Sequence, residues 1–381
     1  MCVISHKGES MMDKISIQSY LAQLGNRKDP KTGAVSAPIY LSTAYGHPGL
    51  GQSTGYDYTR TANPTRDILQ EGLAVLENGV QGFATSSGMS AIQLAFSIFP
   101  VNSHFVASRD LYGGSFRYFQ DMERKGFYSF TYVDDPIDIA SAIQDNTAAV
   151  YIETPTNPLM KETDIAAVAE IAKKNGLMVI VDNNYYTPLL QRPLDLGADI
   201  VVHSATKYLG GHNDLLAGAV VTNDKALGEQ LAFQLNTAGG TLDAFDCWLL
   251  VRGMKTLPLR MKQHQANAKA VVAYLESEDL IKSVYYPGKG GMLSFTLHDK
   301  AYIPAVLDAL NIFTFAESLG GVESLITYPT TQTHADIPVE IRESYGLTDD
   351  LLRISTGIED PDDLIADLRQ AFAKAAVTAK V

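Results

Sequence analysis

The chain has 381 residues, 46% hydrophobic and 19% charged, the profile of an ordinary soluble globular protein long enough for two domains. Its formal charge of −13 argues against nucleic acid or an anionic membrane as the main partner. Two cysteines, Cys2 and Cys247, exclude a disulfide framework, and with no apolar leader and no spanning stretch the expectation is a cytoplasmic protein.

Residues 1–53 read as an N-terminal arm: a polar leader, Met1–Ser10, then turn formers and short apolar pieces such as Ala37-Pro38-Ile39-Tyr40 that form no core of their own. Asn63-Pro64-Thr65 is a helix-start signal, and Ile68, Leu69, Leu73 and Leu76 predict a helix over 67–77. From Gly82 the pattern alternates. Gly82–Thr85 predicts a strand, Ser86-Ser87-Gly88-Met89 a small-residue turn and Ala91–Phe99 a helix, the layout in which free backbone N–H groups and the helix dipole bind a phosphate. Strands follow at 105–107, 127–133 and 148–153, separated by helices over 115–125 and 138–144, and a helix over 165–175 leads into the strand Leu177–Asp182. Ile200–Val202 and Ala217–Val221 complete the series. Such alternation implies right-handed crossovers and a mostly parallel sheet with helices on both faces, an α/β fold. The large domain is expected over 54–244, with Gly239-Gly240 as a hinge. A smaller α+β domain is expected over 245–381, opening with Asp246–Lys262 and a long helix to about Leu275, holding strands 292–297 and 352–355, and ending in a helix over 361–375.

Two strand ends carry chemistry. A lone lysine is usually a solvated surface group, but Lys207 follows a fully apolar strand, between Ser204, Thr206 and two glycines, at the sheet edge where α/β proteins place ligands. A lysine desolvated there has a depressed pKa and can condense with a carbonyl. A lone strand-end aspartate usually caps the next turn, yet Asp182 could also face the ring nitrogen of a pyridine cofactor and keep it protonated. Together, Lys207 and Asp182 suggest pyridoxal phosphate.

Six motifs then coincide: Ser204-Ala205-Thr206-Lys207, Val181-Asp182-Asn183, Ser87-Gly88-Met89, Tyr58-x-Arg60 with Asn63-Pro64-Thr65, Glu153-Thr154-Pro155-x-Asn157-Pro158, and the run Ala316–Leu325. From about Ile39 through Ala371 the chain resembles the trans-sulfuration (cysteine/methionine metabolism) enzymes that use pyridoxal phosphate. The resemblance implies an aspartate-aminotransferase-like (fold type I) architecture and a homotetramer of two tight dimers. It makes Lys207 the lysine that holds the cofactor, Asp182 its ring-nitrogen partner, and Gly88, Met89, Ser204 and Thr206 its phosphate cup. It implies that Tyr58 and Arg60 reach the phosphate of a neighbouring subunit and that Tyr112 stacks on the ring and helps move protons. Asn157, Ser318 and Arg353 match groups that hold the cofactor hydroxyl and the substrate α-carboxylate, while Glu317, Asp57 and Arg117 match polar contacts at the distal end of a sulfur amino acid. Gly113–Phe119 and Glu317 resemble the γ-lyase and γ-synthase branch. The expected reaction is γ-elimination of cystathionine to cysteine, 2-oxobutyrate and ammonia, with γ-replacement on an O-acylhomoserine and β-elimination as alternatives. The chain departs from the family at Asn184-Tyr185, at Asn213, and at Tyr286–Met292, where a longer segment is usual.

Other classes fit less well. Gly49-x-Gly51 has Thr54 where a dinucleotide fingerprint needs its third glycine. His203, His212 and Asp214 lack a metal-ligand spacing and read as ordinary loop polar groups. A non-catalytic, cofactor-binding regulatory role is the remaining alternative.

Overall fold

The computed structural model describes residues 15–378, so the leader Met1–Ser10 lies outside the described residues. Within the arm, Ser16 caps a short helix, α1 (Ile17–Gln23), which the turn-rich composition did not announce. Its Leu21, with Leu24 just beyond, is buried in the core of the large domain. Leu24 presses on Gly72 so closely that a Cβ there would come within 2.8 Å of its Cδ1.

The helices opened by Asn63, Ser87, Asp164, Asp224 and Asp243 start where that acceptor side chain meets their first free N–H groups, a contribution of about 1 kcal/mol each. Those over Gly113–Arg124 and Leu257–Leu275 have no such cap. Asn63 Oδ1 accepts from Thr65 and Arg66 N–H and opens α2 (Pro64–Leu76), whose Ile68, Leu69, Leu73 and Leu76 all turn inward. The chain continues through β1 (Gln81–Thr85), α3 (Gly88–Phe96), β2 (Ser103–Ser108), α4 (Gly113–Arg124) and β3 (Tyr128–Val133) to β4 (Thr147–Glu153). After them come α5 (Ile165–Lys174), β5 (Met178–Asp182), the single turn α6 (Thr187–Leu190), β6 (Ile200–His203), β7 (Gly218–Thr222) and α7 (Lys225–Ala238). Two expectations change here. The helix expected over 138–144 is a 3₁₀ segment over Pro136–Ala142, started by Asp135 and burying only Pro136 and Ile139, too little to hold a longer helix. Helix α7, capped by Asp224, went unread because its polar face interrupts the apolar spacing.

The seven strands run in the order β1-β7-β6-β5-β4-β2-β3, parallel except that β7 lies antiparallel to both of its neighbours. Both faces are covered, so β2, β6 and β7 are buried along their whole length. Val150, Val181 and Val201 meet α2 and α5 on one face, and Tyr151, Ile180 and Ile200 meet α3, α4 and α7 on the other. The second face is aromatic at its centre, where Phe119 stacks on Phe130 with ring centroids 4.4 Å apart.

The stretch expected as Asp246–Lys262 and a long helix to about Leu275 forms two helices. It breaks at Lys255-Thr256 into α8 (Ala244–Met254) and α9 (Leu257–Leu275), the second restarted by Pro258 in its first turn. Cys247, Leu250 and Val251 of α8 join the core built on α2, whereas Ala268, Val271 and Leu275 of α9 join a separate C-terminal core. The chain continues through β8 (Ile281–Tyr285), β9 (Met292–Leu297), α10 (Ile303–Ala309), β10 (Thr314–Phe315), β11 (Leu325–Thr327), α11 (Val339–Ser344), β12 (Leu351–Ser355) and α12 (Pro361–Thr378), and that core draws on β8, β9, α10, β11, β12 and α12. The strands form a five-stranded sheet in the order β10-β11-β12-β9-β8. No helix among the described residues is long and apolar enough to cross a membrane.

Candidate active site

The carboxyl ends of β4, β5 and β6 open on one cavity of about 370 Å³. Strand register sets what faces it. Glu153 pairs with Asp182, and Asp182 with Val202, so Glu153 and Asp182 stand side by side at the sheet edge, with His203 one residue beyond Asp182's partner. Lys207 comes from the turn after β6, and Tyr112, Glu317 and Arg353 close the cavity from the β2 exit and from the C-terminal sheet.

Lys207 Nζ donates to Ser318 Oγ at 3.0 Å. Burial, helped by the Arg353 charge and opposed by Glu317, brings its amine down to about 8. Asp182 is buried, with Oδ2 accepting from the Tyr151 hydroxyl at 3.1 Å and Oδ1 holding no partner. Burial pushes its carboxyl up to about 6, while the His203 charge, Tyr151 and the Asn184 N–H pull back. Glu153 lies well above the usual carboxylate range, first through burial and then through the Asp182 charge. Its Oε2 accepts the Tyr112 N–H at 2.8 Å and so fixes the start of the tyrosine's loop.

At the opposite wall, Ser87 Oγ accepts the Ser90 N–H at 3.1 Å and caps α3, whose first-turn N–H groups have no partner within the helix. Gly88 lies so close to Ser204 that a Cβ would meet its Cβ at 2.6 Å, which leaves a cradle of backbone and hydroxyl groups. The Thr206 hydroxyl lines the same wall while exchanging hydrogen bonds with Ala217, 3.1 Å to its carbonyl and 3.0 Å from its N–H.

Arg353, on β12 and 1% exposed, donates to Asn157 Oδ1 at 2.9 Å, the Ser318 carbonyl at 3.0 Å and Thr327 Oγ1 at 3.1 Å. Its Nε has no partner. A guanidinium so buried needs an anion, and none of these neighbours is one. Ser318 holds a φ of 136°, a strained value for a residue with a side chain, and that turn delivers its carbonyl to Arg353 and its hydroxyl to Lys207.

Pyridoxal phosphate fits these groups. Asp182 offers an unpartnered carboxylate oxygen to a ring nitrogen, the Gly88 cradle suits a phosphate, and Lys207 supplies a desolvated amine for the aldehyde. Of the residues singled out from the sequence, Gly88, Met89, Tyr112, Asn157, Asp182, Ser204, Thr206, Lys207, Glu317, Ser318 and Arg353 all line this cavity. Four do not. Tyr58 is 45% exposed, and Arg60 donates to the backbone and side chain of Asn236. Asp57 accepts from Ser53, and Arg117 pairs with Asp336.

Sequence reasoning missed Glu153, His203, Thr333 and His334. The first two had a signal, since a polar residue ending each of several apolar strands marks one sheet edge. Thr333 and His334 had none. His334 is fully buried between the domains, accepting from Thr333 Oγ1 at Nδ1 (2.8 Å) and donating from Nε2 to the Asn157 carbonyl (2.9 Å).

The family described as Cys/Met metabolism PLP-dependent enzyme matches residues 18–373. The cystathionine gamma-synthase/O-acetylhomoserine (thiol)-lyase of Bacillus subtilis is 57% identical over 360 residues, 94% of this chain and 96% of that protein. The cystathionine gamma-synthase of Haemophilus influenzae is 54% identical over 368 residues, 95% of this chain and 99% of the relative. The crystal structure of cystathionine gamma-lyase from Lactobacillus plantarum complexed with L-serine superposes with a TM-score of 0.92 at 42% identity, covering 95% of this chain and 100% of that one. Relatives with 40% to 48% identity carry the names cystathionine gamma-lyase and cystathionine beta-lyase.

Proposed function

The chain belongs to the Cys/Met metabolism enzymes that depend on pyridoxal phosphate, and from that premise we propose that it acts at the γ carbon of a homoserine-derived amino acid. The reaction is γ-replacement, cysteine displacing the acyl group of an O-acylhomoserine to give cystathionine. One observation carries this reading: Glu317 shares a cavity with Lys207, Tyr112 and Arg353, and its charge bears on both the lysine and the tyrosine. An acid there can take the ammonium group at the far end of cystathionine, an end that both γ-replacement and γ-elimination handle. Two relatives above 50% identity carry synthase names, which puts γ-replacement ahead of the γ-elimination expected from the motifs.

Lys207, Asp182, Tyr112 and the Gly88–Ser204 cradle would hold the cofactor, which when bound supplies an electron sink for a carbanion at the substrate α carbon. Arg353 and Asn157 orient the α-carboxylate through a planar fork. Lys207 Nζ, with an amine near 8, takes the α proton and can return it one carbon further along. Ser318 Oγ steadies that amine between transfers. Tyr112 shields the reacting atoms from water and assists the departing group.

Tyr58 and Arg60, which lie outside this chain's own cavity, would serve the phosphate of a second copy in a homotetramer of two dimers. Exposed Leu41 and Leu50 on the same arm support a covered surface. The γ-elimination reading stays second, supported by the same Glu317 and by the γ-lyase names among the relatives.

The test incubates the reconstituted protein with O-acetylhomoserine or O-succinylhomoserine plus cysteine, and separately with cystathionine. Rapid cystathionine formation supports γ-replacement. Cysteine, 2-oxobutyrate and ammonia from cystathionine, without synthesis, would put γ-elimination first, and homocysteine with pyruvate would sink both readings.

A further inference from the structure

Behind the cavity, and outside its lining, lies a second buried carboxylate. Glu77 is 1% exposed at the C-terminal end of α2, and its Oε1 accepts from His203 Nε2 at 2.6 Å and from Asn183 Nδ2 at 3.3 Å. Those two partners are the neighbours of Asp182: Asn183 follows it in the chain, and His203 extends the strand paired with it. One oxygen of one side chain thus anchors both flanks of the aspartate. Glu77 Oε2 is buried and unpartnered. A carboxyl buried against an imidazole, when apolar side chains could fill the space, calls for a role beyond packing.

We propose that Glu77 is a positioning residue: its carboxylate holds the His203 imidazole with Nε2–H pointed away from the cavity and the Asn183 amide beside it, and that pair sets the charge Asp182 presents to the cofactor ring nitrogen. The groups facing Asp182 account for the need. Glu153 and Tyr151 come from β4, His203 from β6, and the Asn184 N–H from the following turn. Of these only His203 can bring positive charge, and its influence opposes the rise that burial imposes on Asp182. The order is Glu77, His203, Asp182, ring nitrogen. The inference rests on the cofactor and is independent of which sulfur amino acid is the substrate.

Glu77→Gln is the discriminating variant, because the amide oxygen still accepts from His203 and Asn183 while the charge is gone. The measurement is the affinity of apoprotein for pyridoxal phosphate between pH 6 and 9, read by quenching of intrinsic fluorescence. Wild type and variant should differ by about fivefold at pH 6, the effect on the ionised fraction of raising Asp182 by one unit from about 6. The gap should close to under about twofold at pH 9, where the carboxyl is ionised in both. Should Glu77→Gln not fold, His203→Gln reads the same link and should show the same convergence at high pH. With both variants folded, the double variant should bind no more weakly than the weaker single one. A deficit of equal size at every pH would reduce Glu77 to a packing residue, and equal binding at every pH would uncouple it from Asp182; either result overturns the proposal.

Discussion

Glu153 and Asp182 stand directly opposite each other at the ends of two hydrogen-bonded parallel strands, both almost wholly buried. Two carboxylates so placed do not both ionise, since burial raises each and the Asp182 charge raises Glu153 further. Asp182 is drawn down by the His203 charge, the Tyr151 hydroxyl and the Asn184 N–H; Glu153 is drawn down by the Tyr112 N–H and, less, by the Arg353 charge. The proton therefore belongs on Glu153, and the charge on Asp182.

Glu153→Gln replaces one neutral acceptor of the Tyr112 N–H by another. It should keep kcat/KM within about fivefold of wild type at pH 7, whereas Asp182→Asn should lose at least about 100-fold. Equal losses in steady-state assays of the two variants would show that Glu153 carries the charge.

Lys207 must be neutral to capture an aldehyde, and its amine is brought down to about 8. The rate at which apoprotein takes up pyridoxal phosphate covalently should climb as pH rises from 7 and level off above about 9. A rate still climbing steeply at pH 10, followed by absorbance, would mean an ordinary exposed lysine.

Arg353 reaches Asn157, Ser318 and Thr327 with a rigid fork that a lysine cannot reproduce. Arg353→Lys is expected to cost about 100-fold in kcat/KM, chiefly through KM, with little change in the spectrum of the bound cofactor. In the same assay Glu317→Ala should raise KM for cysteine or cystathionine and leave cofactor binding intact. An unchanged KM in either variant removes that residue from substrate binding.

Gly113 has no room for a side chain: a Cβ would lie 2.2 Å from the Thr333 carbonyl oxygen. Gly113→Ala must displace either Tyr112 or the Thr333 wall, and a shift near 1 Å in such a group costs about 100-fold in rate. Full activity would show that the wall yields freely.

His334 is held neutral, brought down to about 4 by burial and then by the Arg353 charge. Its ordinary value of 6.5 returns on unfolding, so the unfolded chain binds the extra proton. The stability it contributes is complete above pH 6.5 and lost as pH falls toward 4, by about 3 kcal/mol. Unfolding temperatures of wild type should fall more steeply across that range than those of His334→Gln; parallel curves would place the histidine in a less demanding setting.

The sequence by itself determined the alternation of strands and helices, the sheet edge to which Asp182 and Lys207 belong, and the capped turn at Ser87-Gly88. Those features are local: apolar runs, capping side chains and glycines act within a few residues of themselves. Six motifs extended that reading to the family. Tertiary structure alone decided the rest. The polar arm hides a helix because Leu21 finds a core supplied by residues far along the chain. Helix α9 starts in the core that α8 joins, through Leu257 and Met261, and ends in the C-terminal one, through Ala268, Val271 and Leu275. Glu153 matters because of its register with Asp182, and Glu77 because α2 ends beside β6. His334 meets Asn157 across 177 residues of chain, a closeness that only the packing of one domain on the other creates. Pairings of buried charges and hydrogen bonds at such separations depend on the completed fold, and no local pattern of residue types encodes them.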